Sequence, residues 1–146
     1  MSVSKIRFMC LLLLVFMGAF FSSCADKKEN KEVSKKISTY GAIKSVSLKE
    51  IDQHLANQGQ ELFEMKCSAC HKINDRYIGP ALKGVTMRRT PEWIMNMILD
   101  PIGMVQNDPA AKKLLAEYGA PMANQSLAQK DARAILEYFR VIDTKK

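Results

Sequence analysis

The chain is 146 residues long, 47% hydrophobic and 25% charged, which suits one ordinary globular domain and excludes collagen-like and wholly disordered classes. Lys and Arg total 22 against 15 Asp and Glu, a net charge of +7 that would suit nucleic acid or an anionic membrane if it lay on a folded domain. It lies elsewhere: Lys5 and Arg7 open the chain, Lys27, Lys28, Lys31, Lys35, Lys36, Lys44 and Lys49 face only Asp26, Glu29 and Glu32, and residues 50–146 carry 13 basic and 12 acidic side chains, which leaves nucleic-acid binding without an electrostatic footprint.

Lys5 and Arg7 precede an apolar run of 14 residues from Phe8 to Phe21. A membrane-spanning helix needs about 20 such residues. A basic front, a short apolar run and small residues behind it are the pattern of an export signal. Phe21-Ser22-Ser23-Cys24 resembles a bacterial lipobox, which implies a signal peptide over residues 1–23 and lipidation of Cys24 at the mature N-terminus. A soluble protein cleaved nearby is the alternative. Ala25 after Cys24 leans towards the outer membrane by the familiar sorting rule. Residues 24–49 are polar and Lys-rich, too poor in large apolar side chains to offset their ordering entropy, and read as a lipidated, flexible basic tether.

Helix signals dominate the remaining 97 residues, 50–146. Ser47-Leu48-Lys49-Glu50 is a capping box, and Ile51, Leu55, Leu62, Phe63 and Met65 recur behind it at mostly helical spacing. Gly59 either interrupts this helix or lets another backbone pack against it. Thr90-Pro91 predicts a helix start and Asp100-Pro101 its stop; Asp108-Pro109 predicts another start, with Gly119 as the stop. Ser126-Leu127-Ala128-Gln129 is a second capping box, opening a helix through Ile135, Leu136, Tyr138 and Phe139. No stretch alternates with period two, so the fold class is all-α, with long connections over 71–90 and 118–126. Four helices of this size have a thin core, and another source of apolar surface is expected.

Cys10 leaves with the signal and Cys24 is assigned to lipid, so the chemistry rests on Cys67-Ser68-Ala69-Cys70-His71. Three uses compete. A thioredoxin-like dithiol follows a strand in a βαβ unit, and no such strand is visible. A zinc site lacks a second ligand pair, His54 and His71 being the only histidines. The third use is covalent haem attachment through two thioethers, with His71 as iron ligand. Cysteines three residues apart share one face of a helical turn, spaced for the two vinyl groups of a porphyrin edge, and His71 projects from the same face. Export, the all-α pattern and the absence of a spare cysteine pair favour this third use.

Over residues 57–142 the sequence resembles the class I, mitochondrial-like, monohaem c-type cytochromes, here in lipoprotein form. Gly59, Leu62 and Phe63 before the Cys-x-x-Cys-His motif resemble the family's first helix, in which the Gly and the aromatic pack against an aromatic of the last helix, here Tyr138. Ile78-Gly79-Pro80-Ala81-Leu82 resembles the segment whose Pro carbonyl receives the free ring N–H of the ligating His, which gives Pro80 the role of orienting His71. Ala120-Pro121-Met122-Ala123 resembles the methionine loop, making Met122 the distal ligand, although Ala123 stands where relatives often have Pro. Met104 and then Met87 are the rivals, while Met95 and Met97 belong to the Trp93 helix. By the same resemblance Trp93 donates to a haem propionate, against a plain core role; Arg88 and Arg89 are further propionate candidates or simply solvated, and His54 is a surface residue. Leu82, Ile98, Leu115, Leu127 and Tyr138 are core or haem-wall candidates.

The resemblance implies one covalent haem c and a periplasmic, membrane-anchored carrier of single electrons between respiratory partners, not an enzyme, and a monomer. A Lys66, Lys72 and Lys83 patch would border the haem edge and serve brief docking. The alternatives are a haem domain with a labile methionine acting as a sensor, an electron-entry subunit of a larger reductase or oxidase, and a thiol–disulfide exchanger.

Overall fold

A computed structural model describes residues 40–145, and all regular structure among the described residues is helical. Cys24, the signal segment and residues 25–39 lie outside the described residues. In chain order the helices are α1 (Gln53–Lys66), α2 (Val85–Arg88), α3 (Pro91–Leu99), α4 (Pro101–Asn107), α5 (Pro109–Tyr118) and α6 (Gln129–Thr144).

The central packing is α1 against α6. Gly59 makes it possible: a Cβ there would stand 2.0 Å from the Ala134 carbonyl oxygen, so only glycine lets the two backbones approach this closely. One turn on, buried Phe63 meets Tyr138 with ring centroids 5.6 Å apart and Phe139 at 6.0 Å edge-on, the geometry aromatic pairs favour. Tyr138 is therefore the aromatic partner expected, and Phe139 joins it. Behind this crossing, α3 is so thoroughly buried that Trp93, Ile94, Met95, Asn96 and Ile98 all belong to the interior.

The three X-Pro starts share one design. Thr90 accepts from the Trp93 amide at 3.2 Å, Asp100 from Gly103 at 3.0 Å and Asp108 from Ala111 at 2.9 Å, each just before a proline at the first helical position. Asp100-Pro101 is thus a stop and a start at once, and α4 follows where the sequence suggested only an end. Gly119 closes α5 in the left-handed conformation at φ 67°.

Both capping boxes depart from expectation. Val46 donates its amide to Glu92 Oε1 at 2.8 Å, residues 46–50 run outside the helix, and α1 starts instead at Asp52, whose carboxylate accepts from Leu55 at 3.0 Å. At the other end Ser126 adopts φ 53° and gives its amide to Asn124, so the cap passes to Ala128, whose N–H donates to Asp131 at 2.9 Å.

Of the tether expected over residues 24–49, the described part from residue 40 is bound to the domain. Residues 40–46 form a strap across α3 and α4 (Ile43 is 5% exposed), held by Asn96, whose side chain accepts from the Ile43 amide at 2.9 Å and donates to the carbonyls of Ile43 at 2.9 Å and Tyr40 at 3.2 Å. Tyr40 donates to Asp100 at 2.7 Å. A short polar segment orders here because buried polar side chains of the domain satisfy its backbone, a reason that composition does not reveal. The C-terminal end of α6 is fastened in a similar way: Asp143 accepts from Gly84, Thr86 N and Thr86 Oγ1 at 2.5, 2.9 and 2.6 Å, capping α2.

Candidate cofactor site

α1 delivers the motif. The helix ends at Lys66, but its hydrogen-bond pattern runs on as a turn, with Cys70 N donating to Cys67 O at 3.0 Å and His71 N to the same oxygen at 2.9 Å. Cys67 is half-buried and Cys70 exposed, and neither is in a disulfide. The chain then doubles back: Leu82 N bonds Lys72 O at 3.1 Å, Lys83 N bonds Ile73 O at 2.7 Å, and Gly79 N bonds Cys70 O at 2.9 Å. This closed loop carries the Pro80 carbonyl to 3.1 Å from His71 Nδ1. The oxygen only accepts, so Nδ1 carries a proton, and in the neutral imidazole Nε2 then keeps its lone pair. Gly79 lies directly over the imidazole, where a Cβ would be 2.4 Å from Cε1.

Above the ring opens a cavity of about 240 Å³. Cys67, Cys70, His71 and, from the 120–128 loop, Met122 all line it, together with Leu82, Ile98, Leu115 and Phe139 among other apolar side chains. Thiols, an imidazole nitrogen with a free lone pair and a thioether around an apolar slot are the donor set that holds a flat, apolar iron porphyrin, so the residues fit the group. The fit also answers the thin core, because Ile98, Ile135 and Phe139 are buried yet line the cavity. Leu127 and Tyr138 instead pack against the core from its periphery.

Among the nine methionines, Met104 is fully buried in α4 outside the cavity wall and Met87 is 77% exposed, which leaves both rivals off the site. Met97 does reach the wall, four residues after Trp93 on the same face of α3; that spacing was the signal available for it. His54 is on the surface.

Two expectations need correction. The Trp93 ring forms part of the wall, but its indole N–H donates to buried Asp108 Oδ1 at 3.0 Å, so it is already committed and is not a free propionate donor. The lysine patch does not form as expected either. Lys83 Nζ donates to the Ile142 carbonyl and to Lys145 O at 2.7 Å at the end of α6, and Lys72 donates to Ser68 O at 2.8 Å beside the Tyr77 ring; only Lys66 lines the cavity. Exposed carbonyls at a helix end attract ammonium groups, which is where these two go. Arg88 likewise donates to the carbonyls of Lys83 at 2.6 Å and Ala81 at 3.1 Å, while Arg89 lies over the Trp93 ring at 4.9 Å.

Thiol exchange finds little support. Burial, and then the neighbouring Cys70, push the Cys67 thiol up to about 11, whereas exchange proceeds through a thiolate. Among the described residues no cluster of His, Cys, Asp and Glu is built to hold a bare metal ion.

A small helical domain that closes an apolar slot between a Cys-x-x-Cys-His turn and a methionine loop is, by class, a c-type haem domain. The cytochrome c family model matches residues 56–142, and the chain belongs to that family. As a member it carries one covalently attached haem c and serves haem-based electron transfer. The chain is 50% identical to the structurally characterised cytochrome c from Rhodothermus marinus, with a TM-score of 0.71 over 73% of this chain and 92% of that one. It is 29% identical to the cytochrome c domain of a Pseudomonas putida protein, with a TM-score of 0.55 over 60% of this chain and 89% of that one. A cytochrome c-553-like protein of Synechocystis is 40% identical over 45 residues, which are 30% of this chain and 43% of the relative, so the chain spans less than half the length of that curated relative.

Proposed function

We propose that the protein is a monomeric, lipid-anchored carrier of single electrons on the periplasmic side of a bacterial membrane. Cys67 and Cys70 hold the haem by thioether bonds, and His71 and Met122 ligate its iron. The observation that carries the reading is the His71 Nδ1–Pro80 O hydrogen bond of 3.1 Å beneath a cavity shared by Cys67, Cys70, His71 and Met122.

When bound, the haem supplies a one-electron Fe(III)/Fe(II) couple, and a neutral thioether ligand favours the ferrous state. The chain's part is positional. The closed 71–83 loop fixes the tautomer and the plane of His71, as supporting groups around a metal ligand generally do. Leu82, Ile98, Leu115 and Phe139 exclude water and lower the local dielectric. The α1–α6 crossing through Gly59 holds the motif turn against the opposite wall, so little has to rearrange when an electron passes. Exposure of Cys70 and of Ile78 puts one rim of the slot at the surface, where small, transient redox interfaces form. Anchoring rests on the lipobox-like Phe21-Ser22-Ser23-Cys24 and on the export signal before it.

The test is the visible spectrum of the exported protein, oxidised and reduced, alongside Met122→Ala. A sharp low-spin reduced spectrum, with a weak far-red iron–thioether band in the oxidised state that Met122→Ala abolishes, is expected. A haem spectrum lacking that band, or ready carbon monoxide binding at neutral pH, would move the function to ligand sensing. Mass spectrometry of Cys24 tests the lipid.

A further inference from the structure

Arg76 stands at the tip of the loop that carries His71 and Pro80, yet its side chain reaches away from that loop. Its guanidinium donates to the Glu117 carbonyl at 3.1 Å and to Glu117 Oε1 at 3.5 Å, and it covers the Tyr118 ring at 4.2 Å from the centroid. Glu117 and Tyr118 are the last residues of α5. Tyr118 itself lines the cofactor cavity, and Met122 follows four residues later. Arg76 thus joins the segment bearing His71 to the root of the segment bearing Met122.

The methionine segment has few ties of its own. Among the described residues, the hydrogen bonds made by residues 120–127 stay within that segment: Gln125 to Ala123 O at 3.3 Å and Ser126 N to Asn124 Oδ1 at 2.7 Å. Its position therefore depends on packing and on its two roots, Tyr118 and the Ala128–Asp131 cap. The 71–83 loop, by contrast, is closed by its own backbone and fixed to the motif turn. A rigid loop holding the root of a loosely tied one is a latch. Its parts are strong for exposed groups: a cation over an aromatic face, and a planar donor on a helix C-terminal carbonyl. The ion pair with Glu117 alone would count for little, both side chains being about half exposed.

We propose that Arg76 is a positioning residue that latches the His71 loop to the root of the Met122 loop and so sets how readily an outside ligand displaces the Met122 thioether. The inference rests on Met122 being the distal ligand. In the exchange the iron–sulfur bond breaks and an iron–nitrogen bond forms, with no change in oxidation state and the released thioether neutral. An incoming ligand's apparent affinity is its intrinsic affinity scaled by the fraction of molecules with the loop open, so a weaker latch tightens apparent binding.

The experiment uses the full-length oxidised holoprotein titrated with imidazole, the far-red band reporting loss of the thioether, with thermal unfolding measured in parallel. Arg76→Ala is expected to bind imidazole about tenfold more tightly than wild type, equivalent to about 1.4 kcal/mol. Arg76→Lys, which keeps the charge but not the planar donor over Tyr118, is expected to fall nearer to Ala than to wild type. Equal imidazole affinity in Arg76→Ala and wild type overturns the latch while the ligand assignment stands, provided Met122→Ala removes the band. If Met122→Ala retains the band, the ligand assignment fails and the latch falls with it. A loss of thermal stability in Arg76→Ala without a change in imidazole affinity also refutes it.

Discussion

Replacing Gly79 by alanine should raise the reduction potential with a size the structure sets. The added Cβ would stand 2.4 Å from His71 Cε1, 2.8 Å from Nδ1 and 3.0 Å from Nε2, so it presses on the imidazole face. Gly79 is not in the left-handed region, so the perturbation is steric and not conformational. Carbon atoms pack best about 3.5–4.0 Å apart, so one partner must retreat by about 1 Å. The ring is held on both sides once its Nε2 ligates, so the 78–80 backbone moves. The 3.1 Å bond from Nδ1 to Pro80 O then passes beyond hydrogen-bonding range. That bond is worth about 1 kcal/mol net. It also makes the imidazole a more basic ligand, which favours ferric iron, so its loss should raise the potential. For one electron, 59 mV corresponds to a tenfold change, so about 1 kcal/mol felt wholly in the ferric state sets an upper limit of roughly 40 mV upward. Redox titration measures the shift directly, with Pro80→Ala as the control because it keeps the carbonyl. An unchanged potential in Gly79→Ala, or a larger shift in Pro80→Ala, would refute the reasoning.

Asn96→Ala removes every bond between the Asn96 side chain and the strap, leaving buried backbone groups of Ile43 unpaired; a loss of about 2 kcal/mol is expected, read by thermal unfolding and by faster amide exchange at Ile43. Trp93→Phe leaves the buried Asp108 Oδ1 with only the Ala111 amide and should cost about 1–3 kcal/mol without moving the potential, whereas a shifted potential would restore the indole to a propionate role. The Tyr40 hydroxyl, then the Gly103 amide, hold Asp100 below its ordinary 3.8, while Asp100 and burial hold Tyr40 above 10.0. The Asp100 contribution to stability is present above pH 3.8 and fades as pH falls through the lowered value; the Tyr40 contribution is present below pH 10.0 and fades as pH rises through the raised one. Denaturation of Tyr40→Phe and wild type across pH should therefore show a constant gap between these limits that narrows beyond either, and a gap independent of pH would be inconsistent with the pairing.

What the sequence made legible was whatever depends on neighbours along the chain. Thr90-Pro91, Asp108-Pro109 and Gly119 work as read, since capping involves residues three or four apart. The same local logic misplaced Ser47, where Val46 finds Glu92 only on folding, and Ser126, where a second local cap three residues apart, Ala128 with Asp131, takes the place of the first. Asp100-Pro101 read as a stop because a stop and a start carry one signature. Gly59 was legible as a close approach but not as an approach to Ala134, which is 75 residues distant. Within the site, Pro80 came from resemblance to a known segment, and its bond to His71 spans nine residues closed by loop hydrogen bonds that no periodicity displays. Asp108 as the partner of Trp93, and Arg76 as the partner of Tyr118, required the fold.

The strap alters how the N-terminal segment relates to the cofactor. Trp93, Ile94, Met97 and Ile98 of α3 form cavity wall, while Asn96 and Asp100, on and after the same helix, bind residues 40–43. The strap therefore meets the domain at Asn96 and Asp100, neither of which lines the slot. Ordering those residues costs conformational entropy, and the Asn96 and Tyr40 bonds offset it. A segment that hung free to residue 49 could fall across the rim of the slot and compete with a redox partner. With residues 40–46 bound to Asn96 and Asp100, the strap lies on residues that do not line the slot, and the rim formed by Cys70 and Ile78 stays clear of it. The polar residues that order the strap thus belong to, or directly follow, the same nine-residue helix whose other residues form cavity wall.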